Sequence, residues 1–403
     1  MVHGKFDITI IGGGIIGLSV GMAFLARYPG RRVALIEKEM DLALHQSGHN
    51  SGVIHSGLYY RPGSQKAEFC LTGGKLLREF CDEEGVTYRT PGKLVVATSQ
   101  SQVPGLLALH KRGLANGLTG LELLNTVQLQ TLEPEVTGFL ALHCPSAGIV
   151  DYTEVARVMA ERNERNGLEL FLSAEVIKIS SQRTSIQVET VRGDIETKYL
   201  VNCAGLHADR VMSMMGFKSD VKIIPFRGEY YKVVPNRENV VGRLIYPVPD
   251  PRFPFLGVHF TPRINGSLEA GPNAVLSMAK EGYTRGTVNV SDIAAMLRFP
   301  GFWLMAGKYW KTGFGEVYRS LDKRAFTRTL QELVPVITGD DLEVGGSGVR
   351  AQAVTKSGTL LDDFSVVVGQ RAIHVQNAPS PAATSSIPIG MHVVKLAETW
   401  FNL

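Results

Sequence analysis

Cysteine is scarce in this chain: four among 403 residues, at Cys70, Cys81, Cys144 and Cys203, with no C-x-x-C pair. That scatter argues against a disulfide framework or a zinc ribbon, and the thiols are expected to be reduced and structural. His143 stands beside Cys144 without further residues at ligand spacing, so no metal site is expected. An excess of one charge is also missing. Lys and Arg number 42 against 38 Asp and Glu, a formal +4, which gives no general affinity for nucleic acid or membrane. The one long apolar run without charge, Ile8–Ala26, is broken by Gly12, Gly13, Gly14 and Gly17, and no basic cluster precedes it. It is therefore not read as a membrane span or signal anchor. The first apolar strand is reached by Phe6, so no signal or transit peptide is expected. With 44% hydrophobic and 20% charged residues the composition is that of a globular protein, and the length allows two domains with a sizeable core.

What is present begins at the N-terminus. Phe6–Ile11 (FDITII) reads as a buried parallel strand. Gly12-Gly13-Gly14-Ile15-Ile16-Gly17 follows and fits G-x-G-x-x-G. A helical stretch runs to Tyr28, and a second strand, Arg32–Glu37, ends in an acid 20 residues after Gly17. Gly12 permits the tight turn, Gly14 lets backbone approach a pyrophosphate, and Gly17 lets the helix pack on the strand. The helix start then offers free N–H groups and a positive dipole end to phosphates. Glu37 suits ribose hydroxyls and disfavours a 2′-phosphate. An adenine dinucleotide is the expected ligand.

Past the second strand, Ala43–Tyr60 (ALHQSGHNSGVIHSGLYY) is poor in core formers and rich in Ser, His, Asn and Gly, as a ligand-contacting segment would be. Helices are expected over Gln65–Glu84, Ser101–Asn116 and Thr153–Asn166, the last with Thr153 as N-cap. Strands are expected at Ala174–Ile179, Tyr199–Ala204 and Ala372–Asn377, and a strand–turn at Gly345–Arg350. Residues 222–275 alternate short apolar runs with Gly and Pro, the pattern of a mostly antiparallel sheet. A small-residue loop, Ala378–Ser386, precedes a last helix to about Trp400.

This order resembles the D-amino-acid oxidase / glycerol-3-phosphate dehydrogenase superfamily of FAD-dependent oxidoreductases and, within it, the L-2-hydroxyglutarate dehydrogenase (oxidase) family. The residues that carry the likeness are the glycine motif with Glu37-Lys38, His49–Tyr60, Asn202–Asp209 (NCAGLHAD), Phe226–Tyr230 (FRGEY), Gly257–Pro262 (GVHFTP), Gly348–Gln352 (GVRAQ) and Asn377–Ser386 (NAPSPAATSS). Cys203 departs from the small alanine common at its position. The resemblance implies an α/β (α+β overall) fold. A Rossmann-type FAD-binding domain (residues 1–85, 145–220 and 340–403) is interleaved with a second, mostly antiparallel-sheet substrate domain (86–144 and 221–339). It also implies FAD held at Gly12, Gly14, Ile15, Ile16, Gly17, Glu37 and Lys38. Further FAD contacts follow at Gln46, Ser47, His49, Asn50, Ser51, Gly52, Val176 and Gly205, then at Gly348, Val349, Arg350, Ser380, Pro381, Ala382, Ala383 and Thr384. The implied reaction oxidises a 2-hydroxy acid by hydride transfer to the flavin.

Such a reaction needs a carboxylate anchor and a proton acceptor. Arg350 in G-V-R is the expected anchor, because a guanidinium offers a bidentate fork. His259 and His55 are the candidate bases, His259 preferred, since neutral imidazole suits proton abstraction near neutrality. A second substrate carboxylate would meet Arg227, Tyr230 or Tyr60. Amides of the helix after Ser380 could favour an anionic reduced flavin.

Residues Phe299–Tyr318 collect Phe299, Phe302, Trp303, Leu304, Met305, Tyr309 and Trp310, with Lys308, Lys311, Arg319, Lys323, Arg324 and Arg328 in or just beyond. Aromatics among basic residues suit a membrane interface, while an aromatic core contact or a subunit interface reads equally well. The expectation is peripheral contact through 299–328 on the cytoplasmic side of the inner membrane, and the family resemblance implies membrane quinone (or oxygen) as electron acceptor. Competing readings are an amine or amino-acid oxidase of the same superfamily, a non-catalytic or RNA-modifying flavoprotein, and an NAD-dependent dehydrogenase. No basic stripe for nucleic acid stands outside 299–328.

Overall fold

The computed structural model describes residues 3–250, 257–401 and 403. Two large sheets organise the chain. The first has eight strands and contains the N-terminal one. Gly4–Ile11 runs parallel to Val33–Ile36 on one side and to Gly193–Asn202 on the other, and Ala372–Asn377 runs parallel to the last of these. Val33–Ile36 is buried at every position, as a strand covered on both faces must be. One cover is a layer of helices, Ile15–Arg27, Tyr152–Arg165 and Ser386–Trp400, which share an apolar core with the sheet. The first and last of these approach closely: a Cβ on Gly390 would lie 2.5 Å from the Ser19 carbonyl oxygen.

The second sheet has nine strands, and most of its pairs are antiparallel. Its spine is Val221–Val233 beside Leu342–Thr355, with Phe226 opposite Arg350 and a bulge between Glu229 and Tyr231. Further out lie Leu268–Gly271, His259–Pro262, Leu244–Pro247 and Lys93–Ala97. Period-two alternation splits this sheet into two faces. Leu94, Val96, Tyr231, Ile245 and Phe260 pack with Phe326 and Leu330 into a dry core on one side. Lys93, Tyr246 and His259 occupy the alternate positions of their strands, and Tyr230 and Tyr246 line the cleft between the sheets along with His259. That face is where polar side chains gather.

Several expectations need adjusting. Asp151, not Thr153, caps the helix Tyr152–Arg165, its carboxylate accepting the Thr153 N–H at 2.8 Å. The boundary expected at 340 does not coincide with a change of sheet, because Leu342–Thr355 pairs with Val221–Val233. Part of the 222–275 expectation, residues 251–256, lies outside the described residues. The aromatic segment divides. In the helix Pro300–Leu321, Phe302 and Met305 face inward with Phe299, against Ile224 and Val354, and Tyr309 packs at their edge. Trp303, Leu304 and Trp310 face solvent.

Candidate active site

A cavity of about 840 Å³ runs between the two sheets. One of its ends is built from backbone. Gly12 has φ +112°, and a Cβ there would lie 2.5 Å from the Cys203 carbonyl oxygen. Gly17 lies below the turn and does not line the cavity; a Cβ on it would meet the Gly12 carbonyl oxygen at 2.0 Å. Both positions therefore require glycine. The helix Ile15–Arg27 opens at Gly14, which has no side chain to cap it. Instead the Ile15 N–H donates to Ser47 Oγ at 2.9 Å. Glu37 is buried, and its carboxylate accepts the Gly13 N–H at 2.6 Å and the Glu39 N–H at 2.9 Å. The acid expected to hold a sugar thus also pins the glycine turn.

Gly12, Gly14, Ile15, Ile16, Glu37, Lys38, Val176 and Gly205 line this end, joined by Gln46, Ser47, His49, Asn50 and Ser51. Gln46 Oε1 accepts the Ala351 N–H at 3.0 Å, so the 43–60 segment is tied to the Gly348-Val349-Arg350 strand beside it. Gly52 turns away toward a smaller hollow near Arg263. Lys38 sits between Glu39 and Glu281, 2.7 Å from the latter, and His207 Nε2 approaches Glu281 Oε1 at the same distance. These partners hold the Glu281 carboxyl well below its usual range. Glu39, His45 and Glu281 lie close enough to bracket an ion, but the Lys38 ammonium already stands between the two acids.

At the other end the walls are side chains. Arg350, Tyr230, Tyr246, His259 and His55 line it, with Ser380, Pro381, Ala382 and Ala383. His259 Nδ1 lies 2.8 Å from the Gly257 carbonyl oxygen. A carbonyl only accepts, so Nδ1 carries the proton and Nε2 keeps its lone pair. The ring stacks on Tyr246 at 3.8 Å. Burial, against a favourable Gly257 bond, pushes the imidazole down to about 3, with Lys93 and Arg350 adding repulsion. His55 is likewise pushed well down by burial and by Lys93, His259 and Arg350; its Nε2 is 3.4 Å from Ser380 Oγ. Burial raises Tyr230 to about 12.

Besides Gly17 and Gly52, three expected contacts lie off the cavity lining. Thr384 is fully buried behind it, where its hydroxyl accepts the His55 N–H at 3.0 Å and meets Tyr152 Oη at 3.0 Å. Tyr60 is just behind the lining, its hydroxyl toward Ser380 and its ring centroid 5.7 Å from the Lys66 ammonium. Arg227 is a correction: strand alternation turns it to the opposite side from Tyr230's neighbours in the cleft. It pairs there with Glu229 at 3.0 Å and donates to the Thr284 carbonyl at 3.0 Å. Two residues escaped the sequence reading, Tyr246 and Lys93. The available signal was a lysine opening the apolar run Lys93–Ala97, buried at all five positions.

The geometry is that of a dinucleotide-binding oxidoreductase. A phosphate-accepting helix start leads, along one cleft, to a neutral imidazole and a buried guanidinium. The glycines that admit backbone contact, the helix N-terminus and the continuous cleft fit FAD. Comparison with known proteins agrees, since residues 7–396 match the family described as FAD dependent oxidoreductase. The chain belongs to that family and, within it, to the L-2-hydroxyglutarate dehydrogenases. It is 53% identical over 393 residues to an L-2-hydroxyglutarate dehydrogenase of Indibacter alkaliphilus, covering 97% of this chain and 98% of the relative. Identity to the mitochondrial L-2-hydroxyglutarate dehydrogenase of Homo sapiens is 42% over 416 residues, 99% and 90% of the two chains. In fold it is similar to an FAD-bound L-alpha-glycerophosphate oxidase from Mycoplasma pneumoniae, at TM-score 0.81 and 22% identity over 98% and 95% of the chains. A glycine oxidase from Geobacillus kaustophilus follows at TM-score 0.72 and 19% identity, with the same coverage. The protein is an FAD-dependent oxidoreductase.

Proposed function

We propose that this enzyme oxidises L-2-hydroxyglutarate to 2-oxoglutarate. The observation that carries the reading is His259, fixed with Nε2 as acceptor on a cavity wall shared with Arg350. The names of relatives at 42–53% identity agree with it. Arg350 takes the substrate's C1 carboxylate in a two-pronged, charge-assisted contact. His259 Nε2 accepts the hydroxyl proton, and the stacked Tyr246 ring keeps the imidazole in plane. Bound FAD supplies the acceptor for the Cα hydrogen and its electron pair, leaving a ketone. His55, hydrogen-bonded through its backbone to Thr384, holds the second imidazole beside Ser380. Phe226, Tyr230 and Tyr246 exclude water from the reacting carbon.

We further propose that the 1–85, 145–220 and 340–403 segments hold the cofactor, and that electrons leave to a membrane quinone. The helix Pro300–Leu321 supports the latter. Trp303, Trp310, Phe314, Val317 and Leu321 recur at spacings of three, four and seven along one side, with Phe314 70% and Leu321 72% exposed. Lys308 and Lys311 flank them. Such a face suits the boundary of an anionic lipid surface. Among the described residues no helix is long and apolar enough to cross a membrane, so the contact is peripheral.

The test is anaerobic mixing of the yellow protein with L-2-hydroxyglutarate, its D-isomer, glycine and other amino acids. Bleaching of the flavin by the L-hydroxy acid alone is expected. Bleaching by an amine instead would move the enzyme to the amine-oxidising branch. Retention on washed membranes at physiological salt tests the lipid contact, and complete release contradicts it.

A further inference from the structure

Lys93 is a buried cation near the substrate end that the mechanism above does not use. It opens the strand Lys93–Ala97 and is 1% exposed. Its ammonium stands 4.3 Å from the centroid of Tyr246 and 5.0 Å from that of Tyr59. Tyr246 lines the cavity and carries His259 stacked on it, so Lys93 lies one aromatic ring behind the wall. The groups that face Lys93 can be enumerated by element. Tyr59 and His55 come from the 53–60 segment, Cys70 from the helix Gln65–Glu84, and Cys144 from the strand Leu140–Cys144. Tyr246 and His259 come from the two strands beyond. Among the described residues no carboxylate is one of them. The aromatic faces offset part of the cost of burying an ammonium, but a buried charge ordinarily has an ionic partner. Nearby, Tyr59 Oη and His55 Nδ1 are buried without a hydrogen-bond partner. A hydroxyl and an imidazole N–H are both donors a carboxylate can satisfy.

We propose that Lys93 is a specificity-determining residue. Its positive charge, fixed behind Tyr246 and beside Tyr59, selects an acid that carries a second carboxylate over one that does not. This inference rests on the reading of the site as a 2-hydroxy-acid oxidase, and it replaces Arg227, which geometry removes from the cleft. Arg350 holds the carboxylate next to the reacting carbon; Lys93 supplies the counter-charge for the distal one. Burial lowers the ammonium to about 8, so the selectivity has a pH signature. The charge is complete below pH 8 and lost as pH rises through it. Over that range Cys70 stays protonated, pushed up to about 12 by burial, and Tyr59 and Tyr246 are raised as well. The two histidines are already neutral.

The experiment compares two ligand pairs on the FAD-loaded enzyme: L-2-hydroxyglutarate with L-2-hydroxyvalerate as substrates, and 2-oxoglutarate with 2-oxovalerate by perturbation of the oxidised flavin spectrum. The wild type should favour the dianions on the order of 100-fold, the scale lost when one member of a buried charge pair is removed. Lys93→Met should collapse this ratio to a few-fold through KM and Kd, and Lys93→Arg should restore part of it. The wild type should itself lose dianion preference between pH 7 and 9, a readout independent of whether Lys93→Met folds. An equal loss for both acids in Lys93→Met, or a wild-type ratio indifferent to pH, overturns the inference while leaving the functional reading intact. A wild type that binds neither pair overturns both.

Discussion

The two ends of the cleft are built by opposite means. At the glycine-turn end a local segment does nearly everything: within 26 residues, Gly12 to Glu37, the chain makes a turn, a helix start and the acid that clasps the turn. At the substrate end Arg350, His259, Tyr246 and Tyr230 come from four different strands of the second sheet, whose face assembles them, and His55 joins from the segment after Val53–Ile54. Backbone donors in a short motif tolerate almost any surroundings. Side chains from separate strands depend on register, so a shift of one residue would exchange Arg350 for Val349 in the cleft. The first end is robust and general, the second fragile and specific.

Mutation should expose that contrast, and the largest effect belongs to the glycine turn. Gly17→Val forces atoms against the Gly12 carbonyl, and the protein should purify with little or no flavin at 450 nm. Arg350→Met should keep its flavin yet lose ~10²–10⁴-fold in kcat/KM, the consequence of ~3–5 kcal/mol when a buried ionic partner is removed. His259→Gln should cost ~10²–10³-fold in the rate of flavin reduction, the scale of general-base catalysis. With His259 lowered to about 3, its lone pair is lost only as pH falls through that value. Reduction rates should therefore show no acid limb from this group between pH 5 and 7; a limb near 6.5 would point to a different base. Arg227→Met is the control. It leaves Glu229 with Arg285, Ser320 and Asn273, so stability should fall by about 1–3 kcal/mol while KM is unchanged. The smallest effect is expected from Trp310→Ala with Leu321→Ala, which should weaken membrane retention without altering flavin reduction.

The same contrast explains what the sequence made legible. The motif from Gly12 to Glu37, the helix Gln65–Glu84 and the strand Ala372–Asn377 are local patterns, and each is found where its periodicity placed it. Arg350 and His259 were reached through short motifs that resemble a family, and the structure sets them on one wall. Arg227 failed because alternation sets Phe226, Gly228 and Tyr230 on the cleft face and Arg227 on the other, and a short motif does not say which of the two faces is the cleft. Only the paired strands settle which side each residue faces. Lys93 and Tyr246 were invisible for a related reason. Their proximity is a product of the parallel pairing of Lys93–Ala97 with Leu244–Pro247, some 150 residues apart.

One continuous cleft that holds FAD, with its pyrophosphate at the glycine turn, and a 2-hydroxy acid at Arg350 is the proposed arrangement. Anaerobic stopped-flow mixing with L-2-hydroxyglutarate, unlabelled and deuterated at Cα, measures it most directly. Rapid bleaching near 450 nm is expected, measurably slower with the deuterated acid and nearly abolished in Arg350→Met. A flavin that stays oxidised with this substrate, or bleaches as fast without Arg350, would contradict it.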